Sequence, residues 1–534
     1  MSTLLDELLR PAQYASVSLK VAFRFTKTHR MTKRQIVYFV CSFAIVLIGR
    51  LSVAGTGYLE DQDEFLYIWI HLNAASFAHL SAWTDCLFRI QGQPPEVAIR
   101  LLEYISLIPV ANSMHQQMLH PDILYFVGLY NILASLLILY VFYRILLKLN
   151  LSIELALTGV MLMGTLFHFN MYTRHILPYD HALLFQLLSL NLLLRDNLRP
   201  RIILLAGLLS AIGLTNYFGG FMFVFINGGL LLLTHRDNPK LAIRNCLLFI
   251  SSFAALLLFY EVLTHVDGRS YLAFFRQYSQ TVGTEGSPDE SLIFVFLYFY
   301  FVEKWWGLLL LFAFFIGSHF ILKRGDSVKA KHLILLAVVA YLSFGMFSFI
   351  SHKLVFDGRV LHIYFPFIIL GALGWLQQQK LTPPHNIAAA FILFACVNYF
   401  FVIRDLNSIG YPRNAIYKYH LFEDKTKTCF TYYEDIPGSI KYSAREGFCI
   451  DSIGQARLPS GDYVLQNICF LPTYSDSIFQ YYKPLNINKT DSVIIEEPHF
   501  ESHPAYAMEY CTHTGREFFI SRQFKIRVVK TKRP

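Results

Sequence analysis

The chain has 534 residues, of which 54% are hydrophobic and only 16% charged. A soluble globular protein carries about 25% charged residues, so this chain could not cover its own surface with polar groups; disorder, collagen, a coiled coil and a small disulfide scaffold are excluded as well. The formal net charge of +9 lies in short basic clusters between apolar runs, which is the pattern of membrane topology and not of a nucleic-acid surface. No zinc-finger or RNA-binding signature occurs, so no nucleic-acid partner is expected.

Residues 1–35 are polar and basic, with Arg24, Lys27, Arg30, Lys33 and Arg34 just before the first apolar run. They read as a cytoplasmic amphipathic arm, without the small-residue end of a cleaved signal peptide. The first span is predicted over 36–54 and is followed by the acidic string Tyr58-Leu59-Glu60-Asp61-Gln62-Asp63-Glu64-Phe65. The stretch 65–120 has no run of about 20 apolar residues, and its apolar positions recur at helical spacing, which predicts external helices lying at the interface. Ten further spans are predicted at 122–143, 152–170, 177–194, 202–215, 217–233, 245–264, 303–322, 332–351, 361–377 and 386–403. The two short ones that meet at Leu214-Thr215-Asn216-Tyr217 read as broken or re-entrant.

Eleven spans with the N-terminus in the cytoplasm place Arg144, Lys148, Arg195, Arg199, Arg201, Arg236, Lys240, Arg244, Lys323, Arg324, Lys329, Lys331 and Lys380 on inner connections, as the positive-inside rule requires. The expected fold is therefore a polytopic α-helical membrane domain over 36–403, with lipid as its surrounding partner. The odd count puts the tail, 404–534, outside. Its composition turns polar and its short runs alternate at 463–470, 492–496 and 518–529, which predicts a small extracytoplasmic α+β or mostly β domain. Cys429, Cys449, Cys469 and Cys511 all lie in it. Four cysteines in an external domain imply two disulfides, with three pairings open. A four-thiolate zinc site is disfavoured because no paired CxxC occurs. Asn488-Lys489-Thr490 is a glycosylation sequon.

Three groups of residues could carry chemistry. Asp61, Asp63 and Glu64 follow the first span among Tyr58, Phe65, Tyr67 and Trp69; a carboxylate at such a boundary is partly desolvated and more basic, and so suited to act as general base on an acceptor hydroxyl. Asp180 and His181 stand at the outer edge of a span, where an ionisable group is costly; they either bind a metal with the first-loop acids or pair with Arg174. Cations form the third group: the external loop 265–302 holds His265, Arg269 and Arg276, and the later outer loop holds Lys353 and Arg359. Arg at a membrane edge usually only snorkels, but several cations converging on one outer face suit a phosphate.

The chain resembles the GT-C membrane glycosyltransferases, in particular the protein O-mannosyltransferase and aminoarabinose-transferase branch. The resemblance rests on the Asp63-Glu64 pair in DQDEFLYIW, on the interface helices after it, on the Gly-rich paired spans GLLSAIGLTNYFGGFMFVF, with Asn216 where Lys is usual, and on GRVLHIYFPFIILG, with Arg359 in the Arg position. It covers about 36–377 and leaves the tail aside. It implies transfer of a hexosyl or pentosyl group from a polyprenyl-phosphate-linked donor to a glycan, lipid or protein acceptor outside the cytoplasm. Asp63 would be the base, Glu64 and Asp180 supporting acids. Arg359, with Lys353, Arg269 or Arg276, would hold the phosphate, and Asp61, His181 and His265 would touch acceptor or metal. Such a transfer builds positive charge at the anomeric carbon and expels a phosphate; single displacement makes it inverting. A divalent cation stays open, since the family has branches with and without one. The rival classes are a polytopic transporter, for which internal symmetry is lacking, and a non-catalytic assembly subunit. A bacterial inner membrane is the simplest location.

Overall fold

The computed structural model describes residues 31–54, 94–115, 121–174, 178–265, 268, 270–273, 276, 294–325, 327–351, 358–378 and 384–408, together with five strands in the tail. Of the residues singled out above, Asp61, Asp63, Glu64, Arg269, Lys353, Cys511 and the sequon lie outside this set, as do residues 1–30 of the basic arm.

The helices are α1 Lys33–Val53, α2 Pro94–Ser113, α3 Pro121–Lys148, α4 Ile153–Thr165, α5 Phe167–Arg174, α6 Tyr179–Leu193, α7 Pro200–Asn216, α8 Phe221–Thr234, α9 Pro239–His265, α10 Phe294–Val302, α11 Lys304–Arg324, α12 Val328–Ser351, α13 Gly358–Gln378 and α14 Pro384–Ser408. A helix covers each of the eleven predicted apolar runs. Seven helices are long and apolar enough to cross a membrane, or eight if α4 and α5 form one bent span; α7 and α8 are shorter apolar helices joined by a single 3-10 turn at Phe218–Gly220. The stretch 265–302, expected as a loop, contains α10, because Phe294–Val302 is an unbroken apolar, aromatic run.

Local chemistry sets several boundaries. Thr32 opens α1 with a capping box: its hydroxyl accepts from Gln35 N at 3.3 Å, and the Gln35 side chain accepts from Thr32 N at 2.9 Å. Asn150 sits at φ +68° just past α3, where Asn150 N donates to Leu147 O and Leu151 N to Leu146 O, so the helix closes in a Schellman turn. Ser152 then caps α4 by accepting from Leu155 N.

α13 is buried along nearly its whole length, whereas α1, α9 and α14 turn large apolar side chains outward, among them Ile48, Leu247, Leu258 and Phe400. Outward apolar faces on peripheral helices are what a lipid surround requires. Inside, close approach replaces hydrophobic drive. A Cβ on Gly317 of α11 would overlap the Gly371 carbonyl of α13, so these helices touch backbone to backbone. α6, α7 and α8 are tied by buried amides and hydroxyls: Ser210 Oγ donates to Gln186 Oε1 at 2.7 Å, and Asn227 Nδ2 to Ser189 Oγ at 3.2 Å.

The tail strands are β1 Thr428–Tyr432, β2 Cys449–Ser452, β3 Tyr463–Phe470, β4 Ser492–Glu501 and β5 Gln523–Lys530. They form one mixed sheet of order β2-β1-β3-β5-β4, parallel across β2-β1-β3 and antiparallel across β3-β5-β4.

Candidate active site

One end of the bundle concentrates charge. It is the end at which α1, α5 and α14 finish and α6 and α13 begin, so Arg50, Arg174, Asp180 and Arg359 sit on the first or last turns of their helices. Asp180 is 2% exposed and both its oxygens are bonded: His362 Nε2 donates to Oδ1 at 2.9 Å and Thr173 Oγ1 to Oδ2 at 2.9 Å. The other ring nitrogen of His362, Nδ1, is buried and has no partner among the described residues. The His168 ring lies 5.1 Å from the His362 ring, and His168 Nδ1 bonds to the Tyr298 hydroxyl.

Arg50 and Arg174 line a small crevice beside Asp180 with Ala54, Asn170 and Thr173. Arg50 is 2% exposed; it feels the charge of Asp180 and bonds to the Tyr399 hydroxyl, yet its Nε and Nη1 have no partner among the described residues. Arg174 does not pair with Asp180, as one sequence reading had it. Arg174 is the last residue of α5, and its guanidinium reaches the Leu406 carbonyl in the last turn of α14, where helix-end carbonyls lack intrahelical donors.

His181 faces the other way, toward α2. Its Nδ1 donates to Glu96 Oε2 at 2.9 Å. Arg100 donates to Glu96 Oε1 at 2.7 Å through Nε, and through Nη1 to Glu103 Oε2 at 2.7 Å and Asn131 Oδ1 at 3.3 Å. All three charged residues of α2 are 2% exposed or less. The helix expected to lie at the interface thus turns one charged face inward. Burial pushes the Glu96 carboxyl up, but Arg100 and His181 outweigh it and hold the group down at about 2. Burial wins at Glu103, whose carboxyl is raised despite Arg100.

Arg359 joins the group from the first turn of α13, its guanidinium 6.0 Å from the centre of the Tyr179 ring. Tyr179 stacks edge-on against Tyr217 at 4.6 Å and Tyr172 at 5.0 Å. The Thr215-Asn216-Tyr217 turn, Arg359 and Asp180 therefore meet around one tyrosine. Asn216 is buried with both amide atoms lacking a partner among the described residues. His265 closes α9 and is exposed, and Arg276 is exposed too.

Among the described residues no three His, Cys, Asp or Glu side chains come together to hold a metal ion. The sequence reading missed Arg50, Glu96, Arg100, Glu103, His168 and His362 as site residues. Two signals were there: an Arg within an apolar run is a functional hypothesis in itself, and Glu96, Arg100 and Glu103 stand at the i, i+4, i+7 spacing of one helix face.

No protein-family model and no curated protein matches the sequence at a significant level. Among solved structures, the chain is similar to the crystal structure of ArnT from Cupriavidus metallidurans bound to undecaprenyl phosphate. The two are 10% identical, and the superposition covers 92% of this chain and 97% of that one with a TM-score of 0.50. At that identity the likeness is one of fold: the chain shares its overall fold with that protein.

Proposed function

We propose that the protein is a glycosyltransferase that moves a sugar from a polyprenyl-phosphate donor to an acceptor on the outer face of a membrane, most simply a bacterial inner membrane. The observation that carries this reading is the buried charged cluster at one end of an apolar bundle, in a fold shared with a protein whose crystal structure holds undecaprenyl phosphate. Buried charge in such surroundings is costly and persists where it is used. A transporter would place it near mid-span, whereas these residues sit at helix ends.

In the proposed reaction the acceptor oxygen attacks the anomeric carbon, the bond from that carbon to the phosphate oxygen breaks, and the polyprenyl phosphate leaves. Asp63 takes the acceptor proton, so charge balances and the configuration inverts. Asp63 follows Ala54 of the crevice by nine positions, a reach of up to about 30 Å. Arg359, with Lys353, Arg269 and Arg276, neutralises the departing phosphate. Asp180 acts through His362 by holding its ring in place, and Glu64 and Asp61 complete the acidic side, with His265 toward the acceptor and His181 tied back to Glu96.

The test is single-turnover transfer from a purified lipid-linked sugar, with donor affinity measured separately. Asp63→Asn should slow transfer about 10²–10⁴-fold, the worth of a general base, with donor binding intact. Arg359→Ala should weaken donor binding and transfer together. Wild-type turnover by Asp63→Asn would remove Asp63 from the mechanism. Loss of transfer on chelation, restored by a divalent cation, would assign the first-loop acids a metal; unchanged transfer would deny them one.

A further inference from the structure

The opposite end of the bundle carries a second charged site. Three helices separated widely in sequence converge there: the C-terminus of α3 with Arg144 and Lys148, the C-terminus of α6 followed by Arg195 and Asp196, and the N-terminus of α12 with Lys329. Lys148 Nζ donates to the Asn191 carbonyl. Lys329 Nζ donates to the Leu194 carbonyl at 2.9 Å and to Asp196 Oδ1 at 2.7 Å. Lys148 lies within electrostatic range of Arg144, Arg195 and Lys329 together, with Asp196 as the opposing charge. Arg144, Lys148 and Lys329 are half-buried and Arg195 is exposed.

Topology alone accounts for basic residues at one end of membrane helices. It does not account for two lysines drawn half inside and fixed on the carbonyls of a third helix. The helix-end carbonyls of α6 hold both lysines in place, so much of the side-chain entropy that a ligand would otherwise cost is already lost. Lys148 keeps ammonium protons beyond the one given to Asn191. A cavity of about 60 Å³ opens at the same end of the bundle, lined among others by Leu149, Asn150, Ser327, Ala330 and Gln377; the four cations do not line it. Cations held at the depth where apolar helices end match a lipid whose phosphate sits among them.

We propose that this end binds the headgroup of an anionic membrane phospholipid, with Lys148, Lys329, Arg144 and Arg195 as the phosphate-binding cations. The site does not depend on the chemistry proposed for the other end. Anionic headgroups concentrate juxtamembrane cations at about 1 kcal/mol per Lys or Arg, so pinning a lipid across α3, α6 and α12 would also clamp the three together.

The experiment titrates phosphatidylglycerol, phosphatidylcholine and inorganic phosphate into the purified full-length protein in neutral detergent and follows thermal unfolding. Phosphatidylglycerol should raise the midpoint and the other two should not. Lys148→Gln with Lys329→Gln should weaken the apparent affinity by at least about tenfold. Because those lysines also cap α6, Arg195→Gln is the second variant: Arg195 is exposed, its loss leaves packing alone, and it should weaken the affinity about three- to fivefold, consistent with one charge near the surface. Arg236→Gln with Arg244→Gln, on the α8–α9 connection, should bind as wild type does. Equal stabilisation by phosphatidylcholine or by inorganic phosphate would overturn the proposal. So would unchanged affinity in both the lysine and the Arg195 variants, or equal weakening in the control.

Discussion

At the scale of single residues, the charged face of α2 shows how burial separates two carboxylates seven positions apart. Glu96 is bonded by both Arg100 and His181, and Glu103 shares Arg100 but keeps Oε1 unbonded among the described residues. Glu96 is thereby held ionised at a value of about 2, well below the ordinary range, while Glu103 is raised. A lowered carboxyl contributes stability that is present above its unfolded value of about 4.3 and lost as pH falls through the folded one. Glu103 has the opposite sign: its ionisation costs stability as pH rises. Glu96→Gln should therefore destabilise the protein by about 1.5–3 kcal/mol, the worth of hydrogen bonds to a charged group, and flatten the loss of stability between about pH 4.3 and pH 2. Glu103→Gln should be neutral or stabilising at pH 7. Thermal unfolding of both variants in detergent across that pH range checks the pair; an equal loss in each at neutral pH would contradict the assignment.

At the scale of elements, the break between α4 and α5 is the informative feature. The run 152–170 reads as one span, yet the chain bends by 60° there. A break inside an apolar bundle frees backbone groups that lipid cannot satisfy, and here protein groups satisfy them. Glu303 accepts from Phe167 N at 3.0 Å and His168 N at 2.8 Å, and Asn170 Nδ2 donates to the Gly164 and Leu166 carbonyls at 2.9 and 2.7 Å. The bend aims Thr173 and Arg174 at the Asp180 crevice. Glu303→Ala and Asn170→Leu should each cost about 1–2 kcal/mol in thermal unfolding, as the loss of a helix cap does. Both should slow transfer, although Glu303 lies outside the Asp180 crevice and Asn170 only lines it. A loss of transfer with full stability would instead assign Glu303 a direct role.

At the scale of the whole molecule, membrane sidedness and the tail cysteines test one another. The eleven crossings expected from the sequence, counted from a cytoplasmic N-terminus, would put the tail in an oxidising compartment, where disulfides persist. The parallel register of β1 and β2 sets Cys429 opposite Cys449, and neighbouring strands lie about 4.8 Å apart, within the Cα separation a disulfide spans. Of the three possible pairings, Cys429 with Cys449 and Cys469 with Cys511 is the expected one. A bridge closing about 20 residues stabilises by roughly 3 kcal/mol in the chain-entropy model. Non-reducing mass spectrometry of protein purified without reductant should find peptides linked through Cys429 and Cys449. Four free thiols would place the tail in a reducing compartment and overturn the odd crossing number.

Membrane residence, the positions of most helices and three of the tail strands were legible in the sequence, because apolar run length and period depend only on the order of residues along the chain; α10 and the break between α4 and α5 were not. So were Asp180, His181 and Arg359, since a charged residue at the edge of an apolar run stands out against lipid. Their partners were not legible. Asp180 bonds to a histidine 182 positions away, Glu303 caps a helix 135 positions away, and Arg174 reaches Leu406 across 232. Separation along the chain carries no mark of these pairings; packing alone brings the groups within hydrogen-bonding distance. The sequence by itself determined which residues are costly to bury, and only the tertiary structure decided which of them meet.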